Sequence, residues 1–227
     1  RNPVIWKRHR IQPGHHLPRD VADVLLDNLF SAIQDTRDLA MFTLMVNAGL
    51  RVGEVVALNC GDLETPEPDR LTRLRVCGKG DKERVVWLTL QTWLQLQAWL
   101  NVRPQSESAA LFLNQHQQRL SVAGVQYRLK TYCQPLGLTV TCHQLRHTFA
   151  RRLAEQKMPV DSLAKLMGHH DLQTTQLYID GADPLVRGDF LAAITRLDNW
   201  MVTPVTLDVP ASFVFPTVVA DPVPDLD

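Results

Sequence analysis

Apolar residues recur at helical spacing through most of the chain. After Pro18 and Asp20, the positions Val21, Val24, Leu25 and Leu29 predict a first helix with those four side chains turned inward. A second helix is predicted over 38–48, stopped by Gly49 at the position just past its end. A short third helix is predicted over 52–58. The period then changes. The run LTRLRVCGKGDKERVVWLTL alternates, with Leu74 and Val76 on one arm and Val85, Val86 and Leu88 on the other. Residues 78–82 form its turn, so this run predicts an antiparallel hairpin. Helical spacing resumes at Thr89 or Thr92 and carries Leu94, Leu96 and Leu100. Residues 111–113 read as one further short strand. Ser121, Thr141, Asp161 and Asp171 stand where N-caps belong, opening helices that end near Cys133, beyond Arg146, at Gly168 and near Tyr178. Asp183 and Pro184 open a last helix through Phe190, Leu191 and Ile194. The fold class implied is α+β, mostly helical, with a small antiparallel sheet.

Composition refines this picture modestly. A chain of 227 residues with 45% apolar and 21% charged residues can bury one large core. The organisation expected is a basic linker over 1–15, a folded domain over 16–198 and a poorly ordered tail over 199–227, with five prolines from Thr203 onward. The formal net charge is 0, with 24 basic and 24 acidic residues, which is not the usual footprint of a nucleic-acid binder. Local clusters differ from the sum: residues 7–10, 79–84 and 146–152 are basic. The four cysteines, Cys60, Cys77, Cys133 and Cys142, show no metal-type spacing and are expected as reduced thiols. No apolar run is long enough to span a membrane and no signal peptide is visible, so a cytoplasmic location is expected. The chain starts at Arg1 rather than Met, as a piece of something longer would.

Four separated segments each set polar residues in apolar surroundings. AGLRVGEVVAL carries Arg51 and Glu54 three residues apart, and the tip of the hairpin carries Lys79. CHQLRHTFARRL carries His143 and Arg146 one turn apart, with His147 after them, and LMGHHDLQTTQLYI places His169 nine residues before Tyr178. Breaking a phosphodiester without a metal needs a nucleophile, cation density on the non-bridging oxygens and an acid for the leaving oxygen. Tyr178 suits the first, Arg51 and Arg146 the second through their planar forks, and Lys79 the third. Each residue alone has an ordinary reading. An arginine at a helix start is commonly a paired surface charge, a turn lysine protects a sheet edge, and Tyr178 fits a core-edge aromatic. His143 and His147 stand four apart, a spacing that suits zinc, but no glutamate follows His143 and no third ligand is evident, so no metal site is assigned. His147 is expected to be buried and hydrogen-bonded. His170 and Arg152 are expected at the surface. Glu54 is expected to orient Arg51 or His143.

The joint pattern AGLRVGEVVAL, GKGDKERVV, HQLRHTFA and LMGHHDLQTTQLY resembles the tyrosine recombinase, or phage integrase, family, in its Xer-like and plasmid-resolvase-like branches. The likeness covers roughly residues 16 to 197. It implies a catalytic domain whose functional residues are Arg51, Lys79, His143, Arg146, His169 and the nucleophile Tyr178. It implies site-specific recombination of double-stranded DNA through a 3′-phosphotyrosyl intermediate, with no cofactor, ATP or metal. A tetramer on synapsed sites and a monomer in isolation are the expected states. Lys7, Arg8, Arg10, Lys82 and Arg84 are expected as DNA contacts. The sequence leaves integration, multimer resolution and inversion open. A type IB topoisomerase-like relaxing enzyme and a silent DNA-binding module are the alternatives. Only about 17 residues precede the domain, where family members carry a separate core-binding domain. Either that domain has been cut away or the chain is a minimal recombinase similar to the fimbrial inversion enzymes. Residues 184–197 are expected either to pack on their own domain or to dock on a neighbouring protomer.

Overall fold

The computed structural model describes residues 21–64, 71–78, 83–168 and 184–196. Its centre is a helix with almost no exposed face. Helix α2 (Thr36–Asn47) opens on Asp35, whose carboxylate accepts from the backbone N–H groups of Arg37 and Asp38. Every residue from Asp38 to Asn47 is buried. A helix apolar on all sides must be covered on all sides, and α4 (Leu90–Val102) and α6 (Cys142–Glu155) supply most of that cover. Helix α1 (Asp23–Ser31) buries Leu26, Leu29 and Phe30, while Val24 and Leu25 are 70% and 40% exposed. The inward stripe is therefore Leu26, Leu29, Phe30 and Ile33 at helical spacing, and only Val21 and Leu29 of the four expected side chains belong inside.

Helix α2 ends where expected. Gly49 takes φ +65°, and a Cβ there would lie 2.4 Å from a ring carbon of Phe149 on α6. Both the turn and the close approach of α6 thus require glycine. The reversed chain leads straight into α3 (Val52–Ala57) and sets Arg51 at its N-terminus. Strands β1 (Leu71–Cys77) and β2 (Glu83–Thr89) pair antiparallel, with Leu74 opposite Val86 and Val76 opposite Arg84. Thr89 caps α4, as the sequence predicts. Residues 111–113 do not form a strand: they are flanked by isolated bridges, Asn59 with Ala110 and Leu113 with Arg119.

Helix α5 (Val122–Cys133) is capped by Ser121 and ends in a tight turn at Gly137, φ +64°. It is pinned to α2 by charge. The buried Asp38 carboxylate accepts from Arg37 Nη2 at 2.9 Å, from Arg128 Nε, and from Tyr132 Oη at 3.0 Å. Burial and the neighbouring Asp38 push the Tyr132 phenol up to about 12, so it stays a donor. Thr141 caps α6 reciprocally with Gln144. Helix α7 (Val160–Met167) is preceded by Pro159 without a side-chain cap. Asp161 lies inside its first turn, where it favours the positive end of the dipole instead. Arg152, expected at the surface, is buried and paired with Asp23 of α1 at 2.9 Å.

Helix α8 (Pro184–Thr195) packs on α6 and α7 of its own chain. Its buried stripe is Val186, Phe190 and Ala193, with Leu191 and Ile194 only partly covered. The Phe190 ring lies 6.4 Å from that of Phe149, and Ser162 of α7 hydrogen-bonds Asp189. Phe190 is fully buried against the domain that holds the arginines, so Phe190→Ala should destabilise the chain by about 3–5 kcal/mol. Equilibrium denaturant unfolding measures this, and a loss below about 1 kcal/mol would mean that α8 does not rest on its own domain.

Candidate functional site

One open cleft of about 1400 Å³ runs between α3, the ends of the hairpin, α5 and the start of α6. Its lining includes Arg51, Glu54, Arg84, His143, Arg146 and Gly168, together with Gln126 and Lys130 of α5 and Gln134 just after it. Arg51, Glu54, Arg84 and Arg146 form a knot of charge. The Glu54 carboxylate is 5% exposed. It accepts from the Arg51 backbone N–H at 2.7 Å and from Arg51 Nη1 at 2.9 Å. Arg84 approaches the same carboxylate as a fork, Nη1 to Oε1 at 2.5 Å and Nη2 to Oε2 at 3.0 Å. Arg146 is 3% exposed and holds its Nη1 only 3.8 Å from Glu54 Oε2. Its hydrogen bonds go to backbone carbonyls, those of Gly49 and Met167. Arg51 Nη2 donates to the Gly168 carbonyl at 3.0 Å.

Two loop closures make this possible. Gly49 and Gly168 both adopt left-handed backbone at helix ends, φ +65° and +61°. Each exposes carbonyls that the helix itself leaves without partners. The end of α7 turns Met167 O and Gly168 O onto two different arginines, and the negative end of its dipole favours cations there.

The charges do not balance. Among the described residues, Glu54 is the only carboxylate ion-paired with Arg51, Arg84 and Arg146. Three cations against one anion leave a formal surplus of two positive charges at a cleft wall. The protonation tendencies follow from this. Burial pushes the Glu54 carboxyl up, but the Arg84 hydrogen bond and charge, joined by Arg51, hold it below the ordinary carboxylate value. Burial pulls Arg146 down to about 9, and the Arg51 charge adds to this, so it remains a cation at neutral pH. The Arg51 side chain remains 43% exposed, with Nη1 on Glu54 and Nη2 on the Gly168 carbonyl. A buried cation without a close counter-ion is costly unless an anion completes it. Guanidinium pairs of this kind fit the oxygens of a phosphate.

His143 is exposed at the first turn of α6, and its Nε2 lies 2.7 Å from Nε2 of His147 one turn on. The rings stand nearly perpendicular, 86° apart. Burial, then the His147, Arg146 and Arg51 charges, lower the His143 pKa and keep the ring neutral near pH 7. His147 is hydrogen-bonded as expected but only half-buried. Among the described residues, no cluster of three or more His, Cys, Asp or Glu side chains could hold a metal. No described helix is long and apolar enough to cross a membrane.

The phage integrase family matches residues 15–183. The chain belongs to this family. It is 37% identical over 173 residues to the tyrosine recombinase XerC of Haemophilus ducreyi, covering 73% of this chain and 56% of that protein. It is 36% identical to the tyrosine recombinase XerD of Lacticaseibacillus casei, covering 73% and 59% respectively. The chain thus spans little more than half the length of these curated relatives. Among solved structures, the XerA recombinase superposes with TM-score 0.62 at 25% identity, covering 82% of this chain and 67% of that one. The XerH site-specific recombinase bound to its difH substrate gives TM-score 0.61 at 26% identity, covering 71% and 50%. The mostly helical fold with a two-stranded antiparallel sheet agrees with the expectation from sequence.

Of the six family positions, the structure describes Arg51, His143 and Arg146 and brings them to one cleft wall. Lys79, His169 and Tyr178 lie outside the described residues, as do Lys7, Arg8, Arg10 and Lys82, the 1–15 linker and the 199–227 tail. Glu54 orients Arg51 as expected and makes no hydrogen bond to His143. Arg84, expected on the DNA-facing surface, is 9% exposed and committed to Glu54. The signal for this was strand alternation: Arg84 shares a face with Val86 and Leu88, both fully buried.

His147→Ala removes the second-largest cause of the lowered His143 pKa. In the free chain, an NMR titration should place wild-type His143 below about 6.5 and the variant higher. An unchanged or lower value in the variant would mean that the ring pair is not electrostatically coupled.

Proposed function

We propose that this chain is the catalytic part of a site-specific DNA recombinase that cleaves and rejoins strands through a 3′-phosphotyrosyl intermediate. The observation that carries the reading is the two-charge surplus built by Arg51, Arg84 and Arg146 around Glu54, in a member of the phage integrase family. The same reading is favoured by Xer recombinases at 37% and 36% identity and by the DNA-bound XerH structure. The partner is double-stranded DNA bearing a recombination site, with a tetramer as the active assembly.

In this scheme Arg51 and Arg146 hold the two non-bridging oxygens of the scissile phosphate. Tyr178 Oη attacks the phosphorus, forming a P–O bond to tyrosine while the bond to the 5′-oxygen breaks. Lys79 gives its proton to that oxygen, leaving a free 5′-hydroxyl. The histidines His143 and His169 bind the phosphoryl oxygens and take up the phenol proton. Rejoining reverses these steps with a 5′-hydroxyl as nucleophile. The phosphodiester energy stays in the tyrosyl ester, so neither ATP nor a metal is required. Sequence adjacency supports the two residues that flank the described wall: Lys79 follows Gly78 of the cleft and His169 follows Gly168.

Tyr178→Phe should abolish covalent adduct formation on a nicked duplex that traps the cleaved state, while leaving DNA affinity nearly unchanged. An adduct from the Phe variant would remove Tyr178 from the role. A supercoiled plasmid with paired sites should yield defined recombinants, whereas relaxation alone would assign a topoisomerase and no change a silent binding module.

Arg146→Ala should slow cleavage by a factor on the order of 10²–10³, the loss seen when one preorganised oxyanion donor is removed. Arg146→Lys should rescue little, since Arg146 divides its fork between two carbonyls and the substrate. Single-turnover cleavage by the Lys variant at near wild-type rate would exclude a phosphate clamp at this position.

A further inference from the structure

We infer that Arg84 is a positioning residue for the phosphate site, acting as the resident counter-ion of Glu54. It holds that carboxylate away from full pairing with Arg51 and Arg146, and so preserves their charge for a phosphate. This inference rests on the reading of Arg51 and Arg146 as phosphate-binding groups.

Three observations carry it. Arg84 takes both carboxylate oxygens of Glu54, at 2.5 and 3.0 Å. Arg51 takes one of them through Nη1, and Arg146 comes no closer than 3.8 Å. Glu54 needs a partner inside the wall because a buried unpaired carboxylate would be far costlier than a paired one. Were Arg84 absent, the nearest remaining cations would be Arg51 and Arg146, and the carboxylate would neutralise one of them. The surplus at the wall would fall from two charges to one.

Arg84 is also enclosed on its other side. A Cβ on residue 168 would lie 3.2 Å from Arg84 Cδ and Nε, and 3.3 Å from Cζ, so the backbone of Gly168 rests on the guanidinium. The Gly168 carbonyl meanwhile accepts from Arg51. One side chain on β2 therefore fixes both the acid that anchors Arg51 and the backbone turn that receives its other nitrogen. Both terminal nitrogens of Arg84 bond the Glu54 carboxylate, whereas those of Arg146 bond only backbone carbonyls and leave its charge without a close counter-ion.

The test separates charge from shape by pairing substitutions. The 227-residue chain is titrated with inorganic phosphate by calorimetry, and its single-turnover adduct formation is measured on the same nicked duplex. Arg84→Met keeps an apolar stem under Gly168 and should weaken phosphate by about ten- to thirtyfold, the scale of one unit charge roughly 8–12 Å away at an effective dielectric of about 20. Adding Glu54→Gln in that background restores a surplus of two and should return phosphate affinity to within a few-fold of wild type. A structural role alone predicts the opposite, since the second change removes a further ion pair. Arg84→Lys keeps the charge and should bind phosphate better than Arg84→Met. If Arg84→Met loses its fold, Glu54→Gln alone decides: removing the acid should tighten phosphate binding, and unchanged or weaker binding overturns the inference. A double variant no better than Arg84→Met overturns it as well. The two readouts keep the inference distinct from the recombinase reading. Phosphate affinities in the expected order with no adduct from the wild-type chain would sink the reaction and leave the role of Arg84 standing. Adduct formation with the wrong affinity order would do the reverse.

Discussion

Glu54 stands among three guanidinium groups, and the geometry of the whole cleft wall follows from holding that arrangement together. Its partners come from different elements: Arg51 from the turn before α3, Arg84 from β2, and Arg146 at longer range from α6. The end of α7 joins through two carbonyls rather than a side chain. A surface ion pair contributes little to stability, because water competes for both partners. Here the carboxylate is 5% exposed and two of the arginines are below 10%, so water does not compete and the partners fix one another's positions. The arrangement costs desolvation and leaves like charges adjacent. Packing elsewhere must offset that cost.

The offset lies in α2 and what surrounds it. A helix buried along ten consecutive residues gives the domain a rigid axis, and α4 and α6 are set against it. The contact that sets α6 is the same one that sets the site. The Phe149 ring can sit against Gly49 only because residue 49 has no side chain, and this brings Arg146, one turn earlier on α6, under the Gly49 carbonyl. Core packing and site geometry therefore share a residue. A change that loosens the α2–α6 seam reaches the Arg146 guanidinium nitrogens without touching them. The Asp38 network plays the matching part across the cleft, tying α5 to α2 through Arg128 and Tyr132.

Much of this was legible in the residues. The glycine stops, the Thr89, Ser121 and Thr141 caps and the hairpin arise from local physics, namely φ above zero, side-chain capping and a period of two, so a short window suffices to read them. Arg51 and Glu54 were legible as a pair because their spacing closes one turn. What was not legible depended on contacts distant in sequence. Val24 and Leu25 belong to the apolar pattern, yet among the described residues they are 70% and 40% exposed. Residues 111–113 have strand-like side chains, but among the described residues this stretch makes only single bridges, at Ala110 and Leu113. Arg152 lies in a basic run, and its burial is decided by Asp23, 129 residues away in sequence. Arg84 was misread for a related reason. Its cluster from Lys79 to Arg84 looks like a basic patch, whereas strand alternation turns this one member inward to a carboxylate 30 residues earlier.

The same distinction resolves the apparent conflict between a chain of net charge 0 and the proposed phosphate-binding role of the site. Net charge governs long-range attraction to nucleic acid and its dependence on salt. It says little about a wall only a few ångströms across. Within that wall the positive surplus is local, partly desolvated and fixed by backbone carbonyls, and such interactions are screened far less than surface ones. A chain can therefore be a weak electrostatic binder of DNA and still hold one phosphate firmly. For the proposed chemistry the second property matters more, because only charge placed where the transition state develops it accelerates the step. Overall grip on a duplex then has to come from surfaces outside this cleft. In the proposed scheme the division of labour is physical: diffuse charge would bring the duplex in, while preorganised charge, set by Glu54 and its three arginines, would act at a single phosphorus.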